Sequence, residues 1–278
     1  MRAPLVSLKL LSRPQTLTLV RGMLAGVAEL LALEPELLDD VKTAASEAAN
    51  NVVLHAYGDQ PGPLEISLYA DPEALEVVVR DHGRGISAAT ADADHDEGIG
   101  LPLIRALTSE LHLGPAEGAG GGTEVRMRFV GSREGAQLFQ VPEQVAAVDG
   151  FTAQLTGETV ASVSPVALVG GVLGRLARAL AADVRFSLDR FSDIYLVTDA
   201  IAAQAAKAAA GERIAFSLQG GERRLELAVG PFLRGTGAGV LERQDAHAFP
   251  LVHLTDDLAV EPVEQGELLR ATLVDPVA

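Results

Sequence analysis

The sequence contains no cysteine, which excludes structural disulfides, thiolate metal sites and cysteine nucleophiles together and is compatible with a reducing compartment. Positive charge is scarce: 22 lysines and arginines stand against 38 aspartates and glutamates, for a net charge of −16. Such a field repels a phosphate backbone. Aromatic residues make up 4% of the chain and no basic stripe interleaves with them, so no nucleic-acid partner is expected. No apolar run approaches the ~18 residues that suggest a membrane span. Met1 to Leu11 lacks the continuous apolar core and small-residue cleavage site of a signal peptide. The chain therefore reads as soluble and cytoplasmic, with no membrane partner. Apolar residues are plentiful: at 48% of 278 residues they can supply the core of one large domain or of two ordinary ones.

Apolar side chains recur at helical spacing over residues 15–34, up to a proline, and again over 36–55, where Leu37, Leu38, Val41, Ala44, Ala45, Ala48 and Val52 give a broad buried face. After Tyr57 the breaker GDQPGP changes the period. LEISLYA and LEVVVRD, separated by DPEA, alternate as an antiparallel hairpin. Residues 82–100 are polar, glycine-rich and acidic. LPLIRALTSEL then predicts a helix, and GGGTEVRMRFV a turn and a closing strand. Helices followed by an antiparallel sheet predict an α+β fold, a two-layer α/β sandwich.

The second half repeats this order. VALVGGVLGRLARALAADV matches the first helix in pattern, SDIYLVTDAIAAQAAKAA (192–209) lies over DDVKTAASEAANNVVLHA, ERIAFSLQGGERRLELAV lies over the first hairpin, and LLRATLV lies over EVRMRFV. Two tandem copies of one fold are expected, residues 1–135 and 150–278, with a boundary between Gly131 and Phe151.

Four elements of the first half can carry chemistry. Glu47 and Asn51, four apart on one helix face, address one small site. A carboxylate there can take a proton from an attacking hydroxyl or water, and an amide oxygen is a hard ligand suited to Mg²⁺; alone, the pair also fits a solvated helix face. Asp81 opens DHGRG, where glycines let the backbone approach a planar ligand and the aspartate can accept from an exocyclic amine; an isolated DxGxG is equally an ordinary turn. Gly98-Ile99-Gly100 precedes a helix whose first N–H groups favour phosphate oxygens. Thr123, after Gly120, Gly121 and Gly122, can donate a hydroxyl or merely begin a strand. With so negative a chain, any nucleotide site must rely on a divalent cation and on local backbone N–H groups.

In order and spacing these elements resemble the nucleotide site of the GHKL ATPase superfamily, which includes gyrase, certain chaperones and sensor histidine kinases. SEAANNVVLHAY, DHGRGI, EGIGLPLI and GGTEV look most like the anti-sigma-factor serine kinases of the RsbW and SpoIIAB type, over about residues 10–130. The resemblance implies ATP and Mg²⁺ as cofactors, Glu47 as general base, Asn51 as metal ligand and Asp81 as adenine contact. It also implies that Gly83 and Gly85 shape the base pocket, that Gly98 and Gly100 line the phosphates, and that Thr123 supports the adenine side, with Ile86 to Glu97 as ATP lid. His55 matches a family position at the helix end, where capping or packing also explains it; His82 and His95 read as exposed loop residues.

The second half departs from this pattern: Ala200 stands for Glu47, Gln204 for Asn51 and Gly230 for Asp81, while Asp193 and Asp199 read as a solvated helix face. It is expected to bind no Mg·ATP and to serve as an interaction or dimer-like packing surface, within the chain or in a homodimer. The implied function is phosphorylation of a serine or threonine on an anti-anti-sigma (STAS-domain) partner, coupled to capture or release of a sigma factor. A non-catalytic ATP-dependent switch is the alternative. A sensor histidine kinase is disfavoured, because no long dimerisation helix with a phosphoacceptor histidine precedes Leu37.

Overall fold

The computed structural model describes residues 3–71, 73–85, 100–116, 121–130, 149–237 and 251–276. The chain divides into two compact units, Met1–Leu24 with Leu31–Glu143, and Ala25–Leu30 with Gln144–Ala278. Up to residue 130 the elements are β1 (Val6–Leu11), α1 (Thr16–Leu31), α2 (Pro35–Asn51), a π turn (Val52–Ala56), β2 (Pro63–Ala70), β3 (Ala74–Asp81), α3 (Gly100–Leu107), β4 (Glu110–Pro115) and β5 (Thr123–Val130). Their strands form an antiparallel sheet in the order β4-β5-β3-β2-β1.

Alternation builds this sheet. Along β2, Leu64, Ile66, Leu68 and Ala70 are buried while Glu65, Ser67 and Tyr69 between them are half-buried, so one face meets the core. The β2–β3 turn is set by Asp71, whose Oδ1 accepts the N–H groups of Glu73 at 2.9 Å and Ala74 at 2.7 Å, a local bond that aspartate makes readily. α2 begins with Pro35, whose missing N–H costs nothing in the first turn. Its buried face is Val41, Ala44, Ala45, Ser46, Ala48 and Ala49, small side chains that let its backbone lie close to neighbouring elements. α2 packs against α3, β3 and β5.

The second unit contains α4 (Asp149–Thr152), β6 (Thr159–Val163), α5 (Leu168–Asp183), α6 (Leu188–Ala208), β7 (Ile214–Gly221), β8 (Arg224–Phe232), a short 3-10 turn (Leu251–His253), β9 (Asp257–Val263) and β10 (Gly266–Val274). Its antiparallel order is β6-β7-β8-β10-β9. Written from its first strand, the first unit reads β1-β2-β3-β5-β4, so the two sheets share one topology. α5 and α6 pack on each other and on β8. Phe151 and Leu155 close a further cluster with Ala215, Ala228 and Leu268. Helices packed on an antiparallel sheet make the expected α+β sandwich.

Several expected boundaries move. The helix expected through Leu111 stops at Leu107, and Glu110 and Leu111 belong to β4, paired with Arg128 and Met127 of β5. Leu101, Ile104 and Leu107 continue at helical spacing into Leu111, which disguises the break. The Thr108 hydroxyl, bonded to the Ile104 carbonyl at 2.9 Å, competes there with the helix ladder. The first helix ends at Leu31, before Ala32 at φ 48°. α2 ends at Asn51, and residues 52–56 wind more widely in the π turn. β1, β6, β9 and β4 add strands beyond the hairpins and closing strands expected in each half. No helix among the described residues is long and apolar enough to cross a membrane.

Candidate functional site

Glu47 and Asn51 are both half-buried on the same face of α2. They converge on the first residue of α3. A β-carbon built on Gly100 would lie 3.4 Å from Asn51 Oδ1 and 3.5 Å from Glu47 Oε2. Glycine at 100 thus leaves open the space in front of a carboxylate, an amide oxygen and a helix N-terminus. Among the described residues no group of three or more His, Cys, Asp or Glu could hold a metal. The oxygen set at Gly100 nevertheless fits Mg²⁺: one protein amide oxygen would leave the other positions to phosphate oxygens and water, which this ion prefers to retain.

Asp81, 3% exposed at the end of β3, faces a second group. Its Oδ1 accepts the Gly83 N–H at 2.8 Å, so one oxygen orders the loop, and among the described residues the other takes no hydrogen bond. The loop lies flush against the end of the π turn: the Arg84 N–H donates to the Ala56 carbonyl at 3.0 Å, and a β-carbon on Gly83 would fall 2.9 Å from the Ala56 β-carbon. Gly85, at φ +71°, and Gly122, at φ +105°, hold conformations that side chains disfavour. A β-carbon on Gly122 would come within 2.8 Å of His82 Cα. Thr123 begins β5 beside Glu124, the partner of Arg80. Glu47, Asn51 and Gly100 thus form one cluster, and Asp81, Gly83 and Gly85 another with Gly122. Gly98, Gly120, His95 and the expected lid, Ile86 to Glu97, lie outside the described residues. His55 is exposed in the last turn before Tyr57, and His82 is exposed 3.8 Å from Glu65 Oε1.

Residues 10–129 match the family model of the histidine kinase-like ATPase domain. The serine-protein kinase RsbW of Listeria innocua is 30% identical over 127 residues, covering 41% of this chain and 81% of that protein. The chain belongs to the histidine kinase-like ATPase family. Two further relatives are the anti-sigma F factor of Caldanaerobacter subterraneus, 29% identical over 137 residues with 46% of this chain and 94% of the relative covered, and the RsbW serine-protein kinase of Bacillus mycoides, 27% identical over 126 residues with 41% and 79% covered. Apart from Ala25–Leu30, the matched residues 10–129 of this histidine kinase-like ATPase domain lie in the first unit.

Ala56, Tyr57 and Gly122 fall inside the motifs SEAANNVVLHAY and GGTEV, but the sequence assigns none of them a role of its own. All three act through contacts between segments distant in the chain. The one available signal was position: Tyr57 closes SEAANNVVLHAY and stands immediately before the breaker.

In the second unit the residues expected to stand for the site residues are engaged within the unit or leave no room for a side chain. Gln204, expected from the sequence to stand for Asn51, donates from Nε2 to the Thr236 carbonyl at 2.7 Å. At Gly230, expected from the sequence to stand for Asp81, a side chain would clash, since a β-carbon would lie 2.7 Å from the Glu267 carbonyl oxygen and 2.9 Å from Phe151 Cζ. The Glu267 carboxylate accepts the Gly235 and Gly237 N–H groups, both at 2.7 Å. Those two donors hold its carboxyl below the usual range.

Proposed function

We propose that the first unit binds Mg·ATP and transfers its γ-phosphoryl group to a serine or threonine of an anti-anti-sigma protein of the STAS type, coupled to capture or release of a sigma factor in the cytoplasm. The observation that carries this reading is the convergence of Glu47 and Asn51 on Gly100. Asp81 would accept from the adenine amine, with Gly83 and Gly85 around the base and Thr123 on its side, while Gly98 and Gly100 would lie along the phosphates. Asn51 would hold Mg²⁺, which when bound neutralises charge on the phosphates.

In the transfer, the partner's hydroxyl oxygen forms a bond to the γ-phosphorus as the bond from that phosphorus to the β-γ bridging oxygen breaks. ADP keeps the electron pair, and Glu47 takes the hydroxyl proton. The N–H groups at the start of α3 face the charge that develops on the transferred group.

The second unit is on this reading a degenerate copy, residues 150–278, kept as a protein-interaction surface. Its site is closed by Gln204 and Glu267 and has no room for a side chain at Gly230. Among the described residues, none there would play Glu47, Asn51 or Asp81.

Incubating the full chain with Mg·ATP and candidate anti-anti-sigma proteins, beside a Glu47→Ala control, tests the assignment. Mass spectrometry should find a phosphate on the partner that the control does not add, and equilibrium dialysis should find one nucleotide per chain. Binding without transfer to any partner would replace the kinase with an ATP-dependent switch, in which nucleotide only reorganises a binding surface. Absence of binding would end the nucleotide reading, and two nucleotides per chain would end the degenerate one.

A further inference from the structure

The loop from Asp81 to Gly85 is tied down at one point beyond its glycines. The Tyr57 hydroxyl accepts the His82 N–H at 2.7 Å and donates its own proton to the Pro63 carbonyl. One oxygen thus joins the end of the π turn, the first residue of β2 and the residue following Asp81. The ring has a fixed seat. It packs against Gly62, where a β-carbon would fall 2.3 Å from its Cδ1 and Cε1 and 2.5 Å from its Cζ. Gly62 is itself pinned to the end of β1, donating to Ser12 Oγ at 2.9 Å and accepting the Ser12 N–H at 2.8 Å. Burial raises the Tyr57 hydroxyl above the ordinary tyrosine value, and the nearby Asp81 and Glu65 carboxylates add to this against the pull of the His82 N–H. The hydroxyl therefore keeps its proton at neutral pH and can make both bonds at once.

We propose that Tyr57 is a positioning residue for base recognition, fixing through the His82 N–H where the free oxygen of Asp81 points; this rests on the nucleotide reading of the first unit. Asp81 is bonded within its own loop only to Gly83. On one side the loop is held by the Ala56 carbonyl through Arg84, and Tyr57 supplies the tie on the other side, next to the aspartate. Glu47 and Asn51 lie on the same helix that leads into Tyr57, so the residue also fixes the distance between the phosphate end and the base end of the site. Both of its hydrogen bonds are exposed. Water can replace a lost hydroxyl there and satisfy both groups, but water cannot fix the loop's place.

The consequence is selective. Tyr57→Phe keeps the ring on Gly62 and removes only the tie, so the chain should melt close to the wild-type temperature. Its Kd for Mg·ATP, by isothermal titration calorimetry on the full chain, should rise about three- to tenfold. For inosine triphosphate, which lacks the exocyclic amine that Asp81 would recognise, Kd should change by less than about twofold. The preference for ATP over the inosine nucleotide therefore shrinks, which a general loosening of the fold would not do. Tyr57→Ala also unseats the ring and should weaken both nucleotides. Equal losses for the two nucleotides in Tyr57→Phe, or no loss at all, would overturn the proposal while leaving the nucleotide reading intact. Failure of the wild-type chain to bind Mg·ATP would overturn the nucleotide reading, and this proposal with it.

Discussion

The residues of the site divide by how they act, and that division decides what could be read from the sequence. On the proposed function Glu47, Asn51 and Asp81 would act through their own functional groups at local spacings, so helical period and the DxGxG pattern announce them. Gly83 and Gly122 act by what they lack, and the atoms they make room for come from residues far away in the chain. Gly83 offers the sharper test. A β-carbon there would press on Ala56 at 2.9 Å, and because Ala56 also accepts the Arg84 N–H, neither side can yield without dragging the loop away from α2. Gly83→Ala should destabilise the first unit by about 1–3 kcal/mol and weaken Mg·ATP at least about tenfold. Gly114→Ala, with nothing within 4 Å of the added carbon, should stay within about 0.5 kcal/mol of wild type. Denaturant melts and calorimetric titration of the two variants would measure this; equal behaviour would mean the loop does not depend on contact with Ala56.

Among the elements, those with one clear apolar face could be read and those without one could not. The two helices of each half carry a stripe of buried residues, β2 alternates strictly, and β3, β7 and β8 are apolar runs buried over several consecutive residues. β4 has no buried residue and β9 none either, so neither alternates visibly, and the first two residues of β4 fall within the expected helix. β1 does alternate, with Val6, Leu8 and Leu10 buried, although it is only six residues long.

The π turn is the least visible element, because its signature is one residue too many. In the first unit Asn51 is five residues before Ala56, whose carbonyl accepts the Arg84 N–H. In the second unit Gln204 is four residues before Ala208, whose carbonyl accepts the Leu233 N–H at 2.8 Å. The extra residue lets a helix that ends at a fixed contact turn a different side chain toward the site. Deleting Leu54, which is 60% exposed, should convert the turn to ordinary helix and keep the Ala56 contact. Glu47 and Asn51 would then rotate by about 100° away from Gly100. The shortened chain should fold with near-normal circular dichroism and lose most of its affinity for Mg·ATP. Retained affinity would mean that the π turn does not set the direction of those two residues.

At the scale of the whole molecule, the repeated order of elements was legible because each step is local, whereas the closure of the second unit was not. That unit ends in a knot of charges drawn from three places. Asp275, buried just beyond β10, accepts the backbone N–H of Ser187 and its hydroxyl, the latter at 3.1 Å, and pairs with Arg223 at 2.7 Å. Ser187 caps α6 through the Arg190 N–H at 3.4 Å, and Arg190 in turn bonds the Val274 carbonyl at 3.0 Å and Asp193 at 2.7 Å. One carboxylate therefore links the start of α6, the β7–β8 turn and the last strand. The Ser187 N–H, its hydroxyl and Arg223 hold the Asp275 carboxyl below the ordinary aspartate value, against the effect of burial. An aspartate in the unfolded chain takes up its proton near about pH 3.9, while the folded chain resists protonation until lower pH. The stability that Asp275 contributes is thus complete above that value and is lost as pH falls through the folded one. Asp275→Asn should melt at a lower temperature than wild type at neutral pH, and the gap should narrow as the solution is acidified below about pH 4. Circular dichroism melts of both chains across that range would show the convergence. A gap that stayed constant into strong acid would mean that the Asp275 charge does not hold the second unit closed.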